Sequence, residues 1–347
     1  MRILRHFVTI ALLTAAILSV VLPLPGQNNS HLLTAAEAQG STLTIYSGRS
    51  EELVGPIIEQ FQADTGIAVE VRYGSTSNMA LTILEEGANT EADVFFAQDA
   101  GALGLLAKDG VLETLPAYIL DSVEPRFRSA DGLWVGITGR ARVVTYNTDA
   151  LSEADLPASL LDFTDPAWQG RLGFAPTNAS FLSHLTALRV AGGDDAARAF
   201  LQGLLDNEAR QYENNVAAVA AVAAGEIDAA LVNHYYMYRV LAETPGAPLA
   251  SYYFPGDDIG NLVNVAWAAI VASSDAKPLA QQFIAYLLSR TAQTYFAEAT
   301  YEYPLLLGMD ADARLRPLAE IETPDVDLSD LDDLEATVNL LEEMLNN

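Results

Sequence analysis

The 347 residues contain no cysteine. That absence excludes disulfides, zinc–thiolate sites, iron–sulfur clusters, cysteine nucleophiles and a lipid-modified N-terminal cysteine. Histidine is scarce, with four copies: His6, His31, His184 and His234. Positive charge is scarce too. Eighteen Lys and Arg face 46 Asp and Glu, a formal net charge of −28. So acidic a chain lacks the basic surface that nucleic acid requires. It suits a cationic ligand, or simply a protein that must stay soluble. The sequence also lacks HExxH, a P-loop, a GxSxG elbow and a GxGxxG fingerprint. An enzyme needs a nucleophile and a base within mutual reach. A secreted hydrolase is therefore the disfavoured reading, and no catalytic function is expected.

Half the residues are hydrophobic, enough for a substantial core. The opening "MRILRHFVTIALLTAAILSVVLPLPG" places Arg2 and Arg5 before an apolar run and then Pro and Gly. That is the order of a secretory signal. A small-x-small site at Ala36-Glu37-Ala38 sets the expected signal at residues 1–38. Cleavage nearer Gly26 and an uncleaved anchor both stay open. The reading is an exported, extracytoplasmic chain that is not a lipoprotein.

From residue 41 onward, strand-like and helix-like runs alternate. "LTIYS" and "VEVRY" alternate in polarity as strands do, and "ADVFFA" reads as a buried strand. Leu53, Val54, Ile57, Ile58 and Phe61 recur at helical spacing. This pattern predicts an α/β architecture with a largely parallel sheet. "LWVGITGRARVVTYN" and "NLVNVAWAAIV" are long for single strands and read as crossings between two lobes. The expected division is 41–140 with 265–305 for lobe 1, 141–264 for lobe 2, and 306–347 for a C-terminal helical segment. A ligand would then sit in the cleft between the lobes.

Four stretches carry candidate chemistry. "VNHYYMYRV" sets Tyr235 beside Tyr236 where a strand gives way to a helix. These are half-buried aromatics or a pair of oxygen ligands. In "GRARVVTYN", period two puts Arg140, Arg142, Val144 and Tyr146 on one face. That face is a solvent-facing edge or an anion-binding wall. "YSGRSEE" combines a glycine turn, Arg49 and Ser50 as a helix N-cap, a weak anion motif or a plain capped helix. "PTNASF" and "ENNVAA" place Asn178 and Asn215 at two further helix starts. His184 lies in an apolar helical run and reads as core. His234 is a ligand or a support for the tyrosines.

With these stretches in order, the chain resembles the ferric-iron-binding periplasmic proteins of bacterial ABC importers. The resemblance runs from "LTIYSGRSEELVGPIIEQFQADTGI" through "ADVFFAQDAGALGLLAKDGVLE", "GRARVVTYN", "NHYYMYR" and "GNLVNVA" to "YFAEATYEYP". The doubled tyrosine and GRARVV are its specific signals. It implies a type II periplasmic-binding-protein fold, with each lobe a mixed sheet flanked by helices and two crossing strands between them. It also implies Fe(III) held by Tyr146, Tyr235 and Tyr236, as in the tyrosine-rich branch. Arg49 and Arg142 would hold a synergistic anion such as carbonate, with Asn178 and Asn215 as further anion contacts. Ser50 and Gln98 stand where another branch has a histidine and a glutamate. The implied partner is an ABC permease in the inner membrane, served by a periplasmic monomer. The rivals within the fold are a polyamine, thiamine or an oxyanion.

The chemistry of the cargo fits such a ligand set. Fe(III) is hard and favours anionic oxygen. A phenol keeps its proton to about pH 10, and a bound cation reverses that preference.

Overall fold

The computed structural model describes residues 42–331 and 333–346. The expected signal segment, residues 1–38, lies outside them.

The first half builds a sheet from β1 (Thr42–Ser47), β2 (Ala68–Tyr73), β3 (Val94–Ala97) and β4 (Leu112–Glu113). Helices α1 (Glu51–Thr65), α2 (Thr76–Glu86), α3 (Leu103–Lys108) and α4 (Ala117–Leu120) connect them. Helix α1 buries Val54, Ile57, Ile58 and Phe61, the stripe that the helical spacing predicts. It ends at Gly66, whose φ of 74° is a left-handed cap that suits glycine. β1 pairs in parallel with both β2 and β3.

β5 (Val135–Asn147) is buried along its whole length. Its first half pairs antiparallel with β10 (Val263–Val271) and with β11 (Tyr303–Pro304). Its second half pairs antiparallel with β8 (Ala229–Asn233) and β9 (Leu249–Tyr252). Beyond β8 lie β6 (Leu172–Phe174) and β7 (Arg210–Gln211), both parallel additions. β5 thus belongs to both sheets and carries the chain from one lobe to the other. The return comes at Leu262–Val263, after which β10 runs within the first sheet beside β3 and β4. Gly136 and Gly139, the interruptions in this strand, have a steric reason. A Cβ at Gly136 would stand 2.8 Å from the Phe127 carbonyl oxygen, and one at Gly139 would press on Leu305 and Tyr303.

The second lobe adds α5 (Ala179–Gly192), α6 (Asp194–Asp206), α7 (Asn215–Ala223) and α8 (His234–Glu243). After β10 come α9 (Lys277–Leu287) and α10 (Arg290–Ala299), which pack on the first sheet. The last helix is α11 (Leu334–Leu345). One core gathers residues from the first lobe, from β10 and from the segment after α10, including Leu315, Ile321, Leu328 and Leu331. The second lobe has its own core, to which α11 contributes Leu340 and Leu341. The tail expected as one helical segment is therefore two parts with different allegiances. Residues 306–331 are mostly loops and short 3₁₀ turns on the first lobe, and only α11 is a long helix, docked on the second.

Candidate metal centre

β8 runs straight into α8, so Tyr235 and Tyr236 occupy the helix's first turn. At that junction the two rings lie 4.2 Å apart, tilted by 33°. Tyr235 is 2% exposed and Tyr236 is half-buried. Burial raises the Tyr235 phenol well above its usual range, and Tyr236 beside it raises it further, while the nearby Arg140 charge pulls it down. The free helix N–H groups add positive potential here. Without a cation Tyr235 keeps its proton. A trivalent metal supplies the missing positive charge.

Two arginines on β5 face this pair. Arg140 is 1% exposed, and none of its three guanidinium nitrogens has a hydrogen-bond partner. Its nearest carboxylate contact is Nε at 3.8 Å from Glu302 Oε1. Arg142 is better held. Its Nε donates to His184 Nδ1 (3.3 Å) and its Nη1 to Asn233 Oδ1 (3.1 Å), but Nη2 has no partner. Burial lowers the Arg142 guanidinium to about 10, with the phenols of Tyr236 and Tyr235 opposing the shift. Other buried polar atoms without partners include Asp99 Oδ2 and Gln98 Oε1 from the first lobe and Ser183 Oγ and Asn215 Oδ1 from the second; Arg49 Nε, Thr145 Oγ1 and Tyr212 Oη are unpaired as well, and the Ser183 hydroxyl acts on the buried Asp99 carboxyl. Folded proteins rarely leave such groups unmade, because each forfeits its hydration. The unpartnered nitrogens of Arg140 and Arg142, beside the tyrosine pair, mark a place suited to a polar ligand.

Both buried histidines are fixed supports. His234 Nδ1 accepts the Ala141 N–H (3.2 Å), and Nε2 donates to the Tyr301 carbonyl (2.7 Å). His184 Nδ1 accepts from Arg142, and Nε2 donates to the Ile259 carbonyl (2.8 Å). Burial, the larger cause in each case, drives His184 to about 3 and His234 to about 4. Each ring is neutral with both nitrogens engaged, so neither is free to ligate.

The structure does not bring Tyr146 to the pair. Arg142 pairs with Asn233 and Tyr146 with Ala229 in the β5–β8 register. Four residues at about 3.3 Å each put Tyr146 roughly 13 Å further along the strand. There it packs in the second core with Val144 and Tyr252. Arg49 also departs from expectation. It is fully buried and grips Glu302 with both terminal nitrogens, at 3.0 and 2.7 Å. Its charge is already answered by Glu302, whereas Arg140 is the guanidinium left without a hydrogen-bond partner. Ser50 is exposed and makes no side-chain cap bond.

Asn178 and Asn215 join the site through a network. Asn215 Nδ2 donates to Asn178 Oδ1 (3.1 Å), which also accepts the Ser180 N–H (3.0 Å). Ser180 Oγ accepts from Asn233 Nδ2 (2.9 Å), and Asn233 holds Arg142. Residue patterns missed Glu302, Asp99 and the unpartnered state of Arg140. The shared face of Arg140 and Arg142 was the one signal available for them.

Among the described residues, no group of three or more His, Asp or Glu side chains gathers as a metal site. The two phenols of Tyr235 and Tyr236 are oxygen donors of the kind that suits a hard cation.

A family model for bacterial extracellular solute-binding proteins matches residues 56–323. The major ferric iron-binding protein of Neisseria meningitidis serogroup B is 34% identical over 315 residues, 90% of this chain and 95% of the relative. The Fe(3+)-binding periplasmic protein of Serratia marcescens is 32% identical over 309 residues, 87% of this chain and 91% of the relative. Among solved structures, iron-bound HitA from Pseudomonas aeruginosa aligns with a TM-score of 0.83 at 39% identity, covering 87% of this chain and 99% of that one.

Proposed function

The chain belongs to the bacterial extracellular solute-binding protein family, and we propose that its solute is Fe(III), carried with a synergistic anion to an ABC importer. It is a binding protein, not an enzyme. The observation that carries the reading is the adjoining pair Tyr235 and Tyr236 at a helix N-terminus, opposed by the unpartnered guanidinium of Arg140.

In this reading the two phenolates bind the metal directly, and the anion fills remaining coordination positions. Arg140 and Arg142 hold the anion, with Asn178 and Asn215 bracing the Arg142 side. Carbonate is one such anion. Two phenolates leave Fe(III) with one uncompensated charge, and the arginines outnumber the buried carboxylates around them. An anion of charge −1 or −2 offsets that excess, so metal and anion bind as a unit. Glu302 keeps Arg49 and Arg140 from repelling each other before loading. The signal segment delivers the chain across the inner membrane, where the permease is its partner.

Phenolate-to-Fe(III) charge transfer gives a red to purple visible band, which is the test. Tyr235→Phe removes one ligand oxygen and keeps the ring, so the band shifts or disappears and iron affinity falls by orders of magnitude. Tyr146→Phe, remote from the pair, leaves the band in place. A protein that stays colourless with ferric citrate rules out the ferric reading and favours a polyamine, thiamine or simple oxyanion. Loss of the band in Tyr146→Phe restores the three-tyrosine site.

A further inference from the structure

Tyr301 holds a backbone state that glycine normally fills. It follows the C-terminus of α10 with φ at 58°, and among the described residues Glu208 is the one other non-glycine with a positive φ. A bulky side chain is strained in that region, and glycine is the ordinary choice just past a helix end. Such strain persists where the surroundings hold it, and it clusters at working sites. The neighbours show what holds it here. The Thr300 hydroxyl donates to Glu302 Oε2 (2.9 Å), and the Glu302 N–H donates to the Phe296 carbonyl (3.1 Å). The Tyr301 carbonyl accepts His234 Nε2 (2.7 Å), and Glu302 grips Arg49. Rotation about the N–Cα bond of Tyr301 swings its carbonyl and Glu302 together relative to α10. The left-handed state therefore serves the start of α8 and Arg49 at once.

The backbone alone does not explain the ring. A glycine at this position would hold the same φ without strain and keep both connections. The side chain has contacts of its own. Its ring lies 5.7 Å from that of Tyr238, tilted by 31°, and the Arg314 guanidinium sits 4.6 Å from its centre. Tyr238 is on α8, two residues past Tyr236, and it packs against the first lobe's core. Arg314 is itself fixed by Asp312 through two nitrogens, at 2.8 and 2.6 Å. One first-lobe residue thus touches α8 on both sides of the tyrosine pair. Its carbonyl meets His234 just before the pair, and its ring meets Tyr238 just after. The His234 ring in turn meets Tyr235 edge-on, with centroids 5.7 Å apart.

We propose that Tyr301 is a positioning residue for the metal centre: it clamps the first turn of α8, with Tyr235 and Tyr236, against the first lobe in the closed form and so slows escape of the bound ion. This rests on the reading of the cleft as an Fe(III) site. Tyr301 acts through His234 and Tyr238 and supplies no ligand. The stack joins the two lobes, so it retains cargo in the closed form and adds nothing to the fold of the open one.

The test uses the full mature chain loaded with Fe(III) in phosphate buffer at pH 7.5. Release is followed as decay of the visible band after excess EDTA is added, and the fold by the urea midpoint of the iron-free chain. Tyr301→Gly removes the ring and the backbone strain together. Its expected release is roughly three- to tenfold faster than that of wild type, the worth of one aromatic pair, with a urea midpoint no lower. Tyr301→Phe keeps the stack and releases at the wild-type rate. Tyr238→Ala removes the same stack from the α8 side, and the double variant releases no faster than the faster single one. Wild-type release in Tyr301→Gly overturns the proposal. A lowered midpoint in that variant overturns it too, by assigning the ring to fold stability, and so does additive acceleration in the double variant. If Tyr301→Gly does not fold, Tyr238→Ala is compared with wild type in its place, with the same expected acceleration and the same overturning result. A wild type without a visible band is a separate failure, that of the ferric reading, and takes this proposal with it.

Discussion

Glu302 is the residue on which the positive side of the cleft depends. It is 1% exposed, and it binds Arg49 through both oxygens while Thr300 and Thr138 hydroxyls donate to it. Burial alone would raise its carboxyl, but Arg49 and Arg140 outweigh that and hold it below the usual range. Glu302→Gln removes the negative charge and leaves two guanidiniums buried together. Breaking a buried pair in this way costs about 3–5 kcal/mol, measured as a drop in the urea unfolding free energy of the iron-free protein. A loss under ~1 kcal/mol means water reaches the arginines. The histidines give a second prediction with a definite sign. Both titrate near 6.5 when unfolded and at about 3 (His184) and about 4 (His234) when folded. The unfolded chain therefore takes up protons first as pH falls. Their contribution is complete above pH 6.5 and is lost as pH drops from there toward 4. Each group contributes a slope approaching about 1.4 kcal/mol per pH unit across that window. Urea midpoints at pH 7, 6 and 5 measure it, and His184→Gln lessens the slope. A flat profile contradicts the burial of neutral rings.

At the scale of elements, legibility followed sequence distance. The polarity of β1, the stripe of α1 and the strand-to-helix junction under Tyr235 depend on neighbours a few residues away, and the sequence carried them. Period two correctly put Arg140, Arg142, Val144 and Tyr146 on one face of β5. It could not say which end of that face meets the cleft, because the first lobe's approach decides that. So Tyr146 fell into the second core. The Arg49–Glu302 pair spans 253 residues, and no local pattern announces such a partner. The tail misled for a related reason. Its acidic amphipathic pattern identified α11, but not that residues 315–331 pack on one lobe and α11 on the other. α11 is fastened by Leu340 and Leu341 in the second core, by Thr337 Oγ1 against Thr186 Oγ1 (2.8 Å), and by Arg198 on Glu343. The surface ion pair is solvent-screened and contributes little, whereas Leu341→Ala removes buried volume and costs about 2–5 kcal/mol. Denaturant unfolding of Leu341→Ala beside Glu343→Ala checks that ordering. Equal small effects mean the helix is a loose appendage.

At the scale of the molecule, contacts across the cleft describe a closed form. Ala187 of α5 packs in the first lobe's core. Polar contacts from α8 to the first lobe include His234 to the Tyr301 carbonyl, Tyr238 to the Arg314 carbonyl (2.7 Å), and Arg239 to Glu52 of α1. Two of these are hydrogen bonds to carbonyls and one is a surface ion pair. None is strong enough alone to hold lobes that bring unpartnered guanidiniums into a shrinking, dry space. Closing without ligand leaves Arg140 desolvated and unpaired, and opening lets water back to it. In the proposed function, metal and anion together reverse that balance by binding the closed form better than the open one. The expected outcome is therefore conjunctive. Small-angle scattering of the iron-free protein gives a larger radius of gyration than the loaded protein, through hinge motion at β5 and at Leu262–Val263. Phosphate alone compacts it little, because the metal is missing. Iron alone compacts it little, because Arg140 still lacks an acceptor. Iron with phosphate brings the full change. A radius of gyration that is the same in all four conditions means the lobes are rigidly joined. Full compaction with iron alone means the tyrosines close the cleft without help, and the guanidiniums of β5 then play no part in closure.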